Sequence, residues 1–259
     1  MPDAHAETRD AHTELPSLAG RRAVITGGTT GIGRAIAVLL ASYGVRVFVC
    51  GRDPKHLDDA LVRIGKVGGK VGEGAGIALD LAEPGGVARL FAAADKYLGG
   101  LDIAVINAAV PADALAETAP ADLRYQIATD FTAYLESTQA AASRMKAGAD
   151  IVLIGSMSAV SRMPGSSIYV AAKAGIQGFA QSLRKELAER DIKVGLIEPG
   201  FTGADFQLPD FPPEKQVELI HQHTMLCAED IAVGVYTMLA QSRRTAVSLL
   251  RIETRLDHP

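Results

Sequence analysis

The sequence predicts a single α/β domain on a seven-stranded parallel sheet, doubly wound with helices on both faces, and three observations carry that expectation. Short apolar runs rich in Val and Ile alternate with longer segments of helical period from residue 23 almost to the end of the chain, which is the pattern of successive βαβ units. Most of these runs are apolar at every position, as a strand covered on both faces requires. The first run ends in a glycine-rich turn that opens a helix, and right-handed crossovers then distribute the helices over both sides of a Rossmann-type sheet.

Candidate strands cover 23–26, 45–50, 76–79, 103–107, 151–155, 194–198 and 248–252, and helical stretches cover 31–43, 54–65, 84–98, 121–147, 168–190 and 228–241. The alternation fails only from Phe201 to Met225, a long segment that holds Pro209, Pro212 and Pro213 and ends in a weakly amphipathic helix. A connection of that length in a compact domain points to a mobile lid. Residues 1–18 are expected to form a mobile tail and residues 19–259 the domain. Gly72, Gly74 and Gly76 precede a strand instead of opening a helix, so they predict a flexible turn and no nucleotide site.

With 259 residues, 48% hydrophobic and 22% charged, the chain can bury a sizeable core. A net charge of −4 gives no electrostatic reason to expect nucleic acid or an anionic membrane as partner. No run reaches the roughly 18 apolar residues of a membrane span, and the first twenty residues lack the apolar stretch of a secretory signal. Two cysteines, Cys50 and Cys227, make no disulfide framework. A soluble, cytoplasmic protein is expected. His221 and His223 lie two apart, on different helix faces and without a partner at ligand spacing, so no metal site is expected. Ser156 sits in Gly155-Ser156-Met157-Ser158-Ala159, which is not the nucleophile elbow of a serine hydrolase.

Chemistry enters at Thr26-Gly27-Gly28-Thr29-Thr30-Gly31-Ile32-Gly33. Glycines at 27, 31 and 33 let the backbone turn tightly, approach a pyrophosphate without a Cβ between, and aim a helix N-terminus at its charge. Strand, turn and helix follow in the order a dinucleotide site needs, with Thr29, Thr30 and Ile32 beside the glycines. The second candidate strand runs into Gly51-Arg52-Asp53. An acid at the strand end would take a ribose 2′-hydroxyl; here Gly51 holds that place, and Arg52 can pair bidentately with a 2′-phosphate. NADP(H) is favoured over NAD(H), although Asp53 could still reach a ribose hydroxyl. Tyr169 and Lys173 lie four apart in a helical segment and share a face. A close ammonium stabilises a phenolate, so the phenol is expected below its ordinary pKa of ~10.

In their order and spacing these motifs resemble the short-chain dehydrogenase/reductase family over residues 19–253. Thr26 to Gly33 matches the family's glycine-rich turn, Asp80-Leu81 its adenine-binding acidic residue after the third strand, and Asn107-Ala108-Ala109 its Asn-Asn-Ala-Gly segment. Ser156 precedes Tyr169 by thirteen residues, Tyr169 to Lys173 reads as its Tyr-x-x-x-Lys, and Pro199-Gly200 with Thr202 resembles the stretch that holds the nicotinamide carboxamide. The resemblance implies an oxidoreductase acting on CH-OH groups: Ser156 hydrogen-bonds the substrate oxygen, Tyr169 exchanges a proton, the nicotinamide exchanges a hydride, and Lys173 binds the ribose and tunes the phenol. Met157, Val160, Met163, Val110 and Phe201 are expected to border the site, which suits a small, partly hydrophobic carbonyl or alcohol. The alanine-rich stretches 121–147 and 168–190 could pack against copies of themselves, and a homodimer or homotetramer is expected by resemblance.

Two departures stand out. Asp130 occupies the place of a family asparagine that holds a water linking the lysine to solvent, and Asn107 is the chain's only asparagine. Ile106 and Ala109 replace the first asparagine and the glycine of the Asn-Asn-Ala-Gly segment. An ionised Asp130 would offset the field of Lys173, whereas a protonated one could hold the water. The expectation is a working relay with an altered pH profile; the alternative is a catalytically impaired NADP-binding sensor or scaffold.

Overall fold

The computed structural model describes residues 15–68, 74–111, 113–208 and 210–256. Among them run β1 (Arg22–Ile25), α1 (Gly31–Ser42), β2 (Arg46–Gly51), α2 (Pro54–Gly68), β3 (Gly74–Ala78), α3 (Gly86–Leu98), β4 (Ile103–Ile106), α4 (Pro120–Ile127), α5 (Ala133–Arg144), β5 (Asp150–Ile154), the one-turn α6 (Ser158–Ser161), α7 (Ser167–Glu186), β6 (Lys193–Pro199), α8 (Pro213–His221), α9 (Ala228–Leu239) and β7 (Leu249–Ile252). All seven strands pair in parallel in the order β3-β2-β1-β4-β5-β6-β7. The order reverses between β1 and β4, and an open α/β sheet places its ligand crevice there, beyond the strands' carboxyl ends.

Strand alternation builds two cores from one sheet. In β4, Ala104 and Ile106 join Phe91, Tyr134, Leu153 and Ile176 on the face covered by α3, α5 and α7. Ile103 and Val105 point the other way, into Ile36, Leu40, Ile231 and Val235 of α1 and α9. Successive side chains of a strand leave on opposite faces, so a strand sandwiched between helix layers must be apolar throughout.

Several elements differ from the sequence expectation. Gly74 and Gly76 belong to β3 itself, paired with Val47 and Val49 of β2; a Cβ on either would run into Ile64 or Leu57 of α2, so they admit a helix that packs close to the sheet. Gly72 lies outside the described residues. The stretch 121–147 is two helices joined by a π-helical turn, Ala128–Thr132, and ends when Met145 turns extended. The stretch 168–190 ends at Glu186, followed by the 3-10 turn Ala188–Arg190.

The segment 201–225 is more structured than an open loop. It contains the 3-10 turn Asp205–Gln207 and α8. Gln216 Nε2 donates to the carbonyls of Phe211, at 2.7 Å, and Ala204, at 3.2 Å; Pro209 lies outside the described residues. Of the tail expected over residues 1–18, the first fourteen residues lie outside the described residues, and Leu18 is buried in the α1 and α9 core. No described helix is long and apolar enough to cross a membrane.

Candidate active site

The carboxyl ends of β1, β2, β4, β5 and β6 open into one cleft of about 1360 Å³. Its central wall is the turn after β1. Thr26 Oγ1 accepts hydrogen bonds from the backbone of Asn107 at 2.8 Å and Ala108 at 3.1 Å, while Asn107 Nδ2 donates to the carbonyls of Thr26 and Gly27. Asn107 thereby clamps β4 to the turn. A Cβ on Gly33 would fall 2.1 Å from the Gly27 carbonyl oxygen, so Gly33 lets the turn close upon α1 from beneath and does not itself line the cleft, whereas Gly27, Thr29, Thr30, Gly31 and Ile32 do. No acidic side chain stands in the first turn of α1 and Thr30 makes no side-chain cap bond. The amides of that helix end therefore meet the cleft with no counter-charge from their own turn, a fit for phosphate.

Beyond β2 lies the end expected to take adenosine. A Cβ on Gly51 would sit 2.0 Å from Thr29 Oγ1, so the threonine hydroxyl fills the space an acidic side chain would need there. Asp53 is committed elsewhere: its Oδ1 accepts from the backbone of Lys55 at 2.7 Å and of His56 at 3.4 Å, and the first of these bonds holds its carboxyl below the usual range. Arg52 Nη1 donates to Tyr125 Oη at 2.8 Å, and Tyr125 Oη donates to Asp80 Oδ2 at 2.5 Å. Arg52, Asp80 and Leu81 line the cleft, as do Ala108, Ala109, Pro199, Gly200 and Thr202.

The opposite end gathers the titratable groups. Helix α7 carries Tyr169 and Lys173 one turn apart; Lys173 Nζ lies 5.4 Å from the Tyr169 ring centre and 5.5 Å from that of Tyr134. The ammonium donates to the Ile154 carbonyl at 3.0 Å, at the end of β5. Ser156 Oγ accepts from the Ser158 amide at 3.1 Å, which leaves its own proton for the phenol that it hydrogen-bonds. Asp130 does not reach the cleft surface. It is 1% exposed, and its Oδ1 accepts from the Val110 amide at 2.8 Å. The π-helical turn supplies this placement, since one residue inserted into a helix re-aims the side chains around it.

Burial pushes the Asp130 carboxyl up to about 6, with the Lys173 cation and the Val110 amide holding it back. It pushes Lys173 down to about 8, with Asp130 opposing. The expectation of a lowered phenol is overturned: Tyr169 is raised, first by burial and further by Asp130, and only the Ser156 hydrogen bond opposes. The spacing of Tyr169 and Lys173 does bring them together, but the ammonium is directed to Ile154 and to the ring faces, and desolvation of a phenolate outweighs it.

Met157, Val110 and Phe201 line the cleft as expected, but Val160 and Met163 do not and lie exposed, Met163 at 67%. Three residues escaped the sequence reading. Phe206, from the segment 201–225, tilts its ring against Tyr169 at 5.4 Å; its aromatic character just after Pro199-Gly200 is a signal that could have found it. Thr129 lines the cleft and has a buried hydroxyl without a hydrogen-bond partner. Tyr125 carries no local signal, because its partners stand 45 and 73 residues away.

The family model for short chain dehydrogenases matches residues 21–214. The chain is 33% identical to a human 3-oxoacyl-[acyl-carrier-protein] reductase over 184 residues, 70% of this chain and 75% of that protein. It is 32% identical to carbonyl reductase family member 4 of Xenopus tropicalis over 187 residues, 71% and 76% of the two chains. Among solved structures, a short chain dehydrogenase from Burkholderia cenocepacia in complex with NADP is similar at a TM-score of 0.80 and 28% identity, covering 92% of this chain and 98% of that one. A dehydrogenase/reductase from Sinorhizobium meliloti is similar at 0.80 and 30%, covering 91% and 95%. These proteins are named as reductases and dehydrogenases, which lends no support to the scaffold alternative. With its sheet order, its glycine turn and the cluster on α7, the chain is thus an oxidoreductase of the short-chain dehydrogenase/reductase family.

Proposed function

We propose that the protein is an NADP(H)-preferring oxidoreductase that interconverts a carbonyl and a secondary alcohol on a small, partly hydrophobic substrate, with Ser156, Tyr169, Lys173 and Asp130 as its working groups. One observation carries the reading: Ser156, Tyr169 and Lys173 meet in the same cleft that the glycine turn and Arg52 line. When bound, the nicotinamide supplies or accepts the hydride at the substrate carbon. Gly27, Thr29, Thr30, Gly31 and Ile32 would cradle the pyrophosphate, with Gly33 closing the turn behind them; Arg52 would take the 2′-phosphate, and Asp80 and Leu81 the adenine. Asn107, Ala108 and Ala109 support the ribose side, and Pro199, Gly200 and Thr202 hold the carboxamide.

Ser156 donates a hydrogen bond to the substrate oxygen, fixing it beside the Tyr169 phenol, which gives its proton to that oxygen in reduction and takes it back in oxidation. Lys173 holds the ribose hydroxyls and stabilises the phenolate left behind. Raised above its ordinary value, the phenol is protonated at neutral pH and is the donor in reduction; in oxidation its proton must first be removed before it can act as base. Met157 and Phe201, with Phe206 against the reacting phenol, supply apolar walls for the substrate. Assembly as a homodimer or homotetramer is part of the same proposal, and two thiols unpaired within the chain suit a cytoplasmic setting.

The test is oxidation of NADPH and of NADH against a panel of ketones, aldehydes and quinones. NADPH is expected to support turnover with the higher kcat/KM, and Arg52→Ala to lower that preference about tenfold or more, as loss of a charge-assisted pair does. Absence of turnover with every carbonyl, together with absence of alcohol oxidation, rejects the chemistry; equal use of the two nucleotides by the unaltered protein rejects the preference.

A further inference from the structure

Arg52 and Asp80 follow β2 and β3, which are hydrogen-bonded neighbours with Gly51 paired to Ala78. The two strands therefore deliver a guanidinium and a carboxylate side by side at one end of the cleft. Opposite charges so placed close into a bidentate pair when nothing stands between them. Among the described residues Arg52 and Asp80 make no ion pair; the Tyr125 hydroxyl stands between them, accepting from Arg52 Nη1 and donating to Asp80 Oδ2.

We infer that Tyr125, reaching in from α4 behind the cleft wall, is a positioning residue that sets the preference for a 2′-phosphorylated nucleotide by keeping Arg52 and Asp80 apart; this rests on the NADP(H) reading above. A phenol is suited to the task because one oxygen both accepts and donates. Its donated proton occupies Asp80 Oδ2, while Asp80 Oδ1 accepts from the Ala82 amide at 2.9 Å. On the other side it engages a single Nη of Arg52, which leaves the rest of the planar fork for a phosphate. The Tyr125 ring lies 6.0 Å from the guanidinium carbon, close enough to steady it from one face. Without the hydroxyl, Arg52 turns to Asp80, and the phosphate loses its cation.

The decisive experiment titrates NADP⁺ and NAD⁺ into the full chain and its variants by calorimetry, with thermal melting as the folding control. Tyr125→Phe keeps the ring and is expected to weaken NADP⁺ about tenfold while changing NAD⁺ about twofold or less, the size of effect a lost charge-assisted hydrogen bond produces. Adding Asp80→Asn removes the charge that captures Arg52, so the double variant is expected to recover NADP⁺ selectivity, a rescue that a merely structural tyrosine would not give. Unchanged selectivity in Tyr125→Phe, or a loss that Asp80→Asn does not restore, overturns the inference. If Arg52→Ala lowers the selectivity while Tyr125→Phe does not, the NADP(H) reading stands and only the role of Tyr125 falls. If Arg52→Ala leaves the selectivity intact, both fall.

Discussion

Tyr169→Phe is expected to lower kcat/KM for carbonyl reduction by about 10³-fold, near the middle of the range for a general acid, equivalent to about 4 kcal/mol of transition-state stabilisation. The substitution removes one oxygen and leaves the rest of the site in place. Phenylalanine keeps the ring packed against Phe206 and beneath the Lys173 ammonium, and Lys173 keeps its bond to the Ile154 carbonyl. Ser156 stays fixed by the Ser158 amide and loses only its phenol partner. The loss should therefore fall on kcat, with the NADPH dissociation constant changed by no more than about threefold. Single-turnover kinetics of hydride transfer, run beside a direct NADPH titration, separate the two. A variant that reduces the substrate within about tenfold of the unaltered rate would remove the phenol from its assigned role.

The sheet was legible because its cause is local. The five inner strands, β1, β2, β4, β5 and β6, sit between two helix layers, so their apolar runs appear in the sequence without alternation, and the glycine turn is dictated by contacts such as that of Gly33 with the Gly27 carbonyl. The π-helical turn was not legible. A one-residue insertion hardly disturbs helical period over 121–147, and the bond that uses it joins Asp130 to Val110, twenty residues away. Val160 and Met163 were misplaced for a similar reason: Val160 falls on the exposed side of the one-turn α6, and α6 is capped by Arg162 with φ of +52°, a left-handed residue that redirects the chain before Met163. The spacing of Tyr169 and Lys173 reported a shared helix face correctly. It could not report that the ammonium goes to a β5 carbonyl, nor that burial of the phenol outweighs the nearby cation. Those depend on what the rest of the fold packs around the pair.

Asp130 is where sequence and structure together make the sharpest demand. Its folded pKa of about 6 stands roughly two units above the ordinary ~3.9 of an aspartate in an unfolded chain. The ionised carboxylate therefore costs folding about 2–3 kcal/mol wherever it is charged in both states, above about pH 6, and the cost disappears as pH falls from about 6 to about 4, where the unfolded state is protonated as well. Asp130→Asn keeps an oxygen for the Val110 amide and carries no charge. It is expected to raise Tm by roughly 5 °C at pH 8, a gain that fades across that window. The same substitution removes the negative charge that raises Tyr169 and sustains the Lys173 cation. The acidic limb of alcohol oxidation should then move to lower pH by about one unit, and Lys173 should lose its proton below its present value of about 8. Melting curves and pH–rate profiles test different halves of this argument. A pH-independent gain in Tm would deny the buried charge; an unchanged rate profile would show that the charge, though present, does not reach the reacting proton.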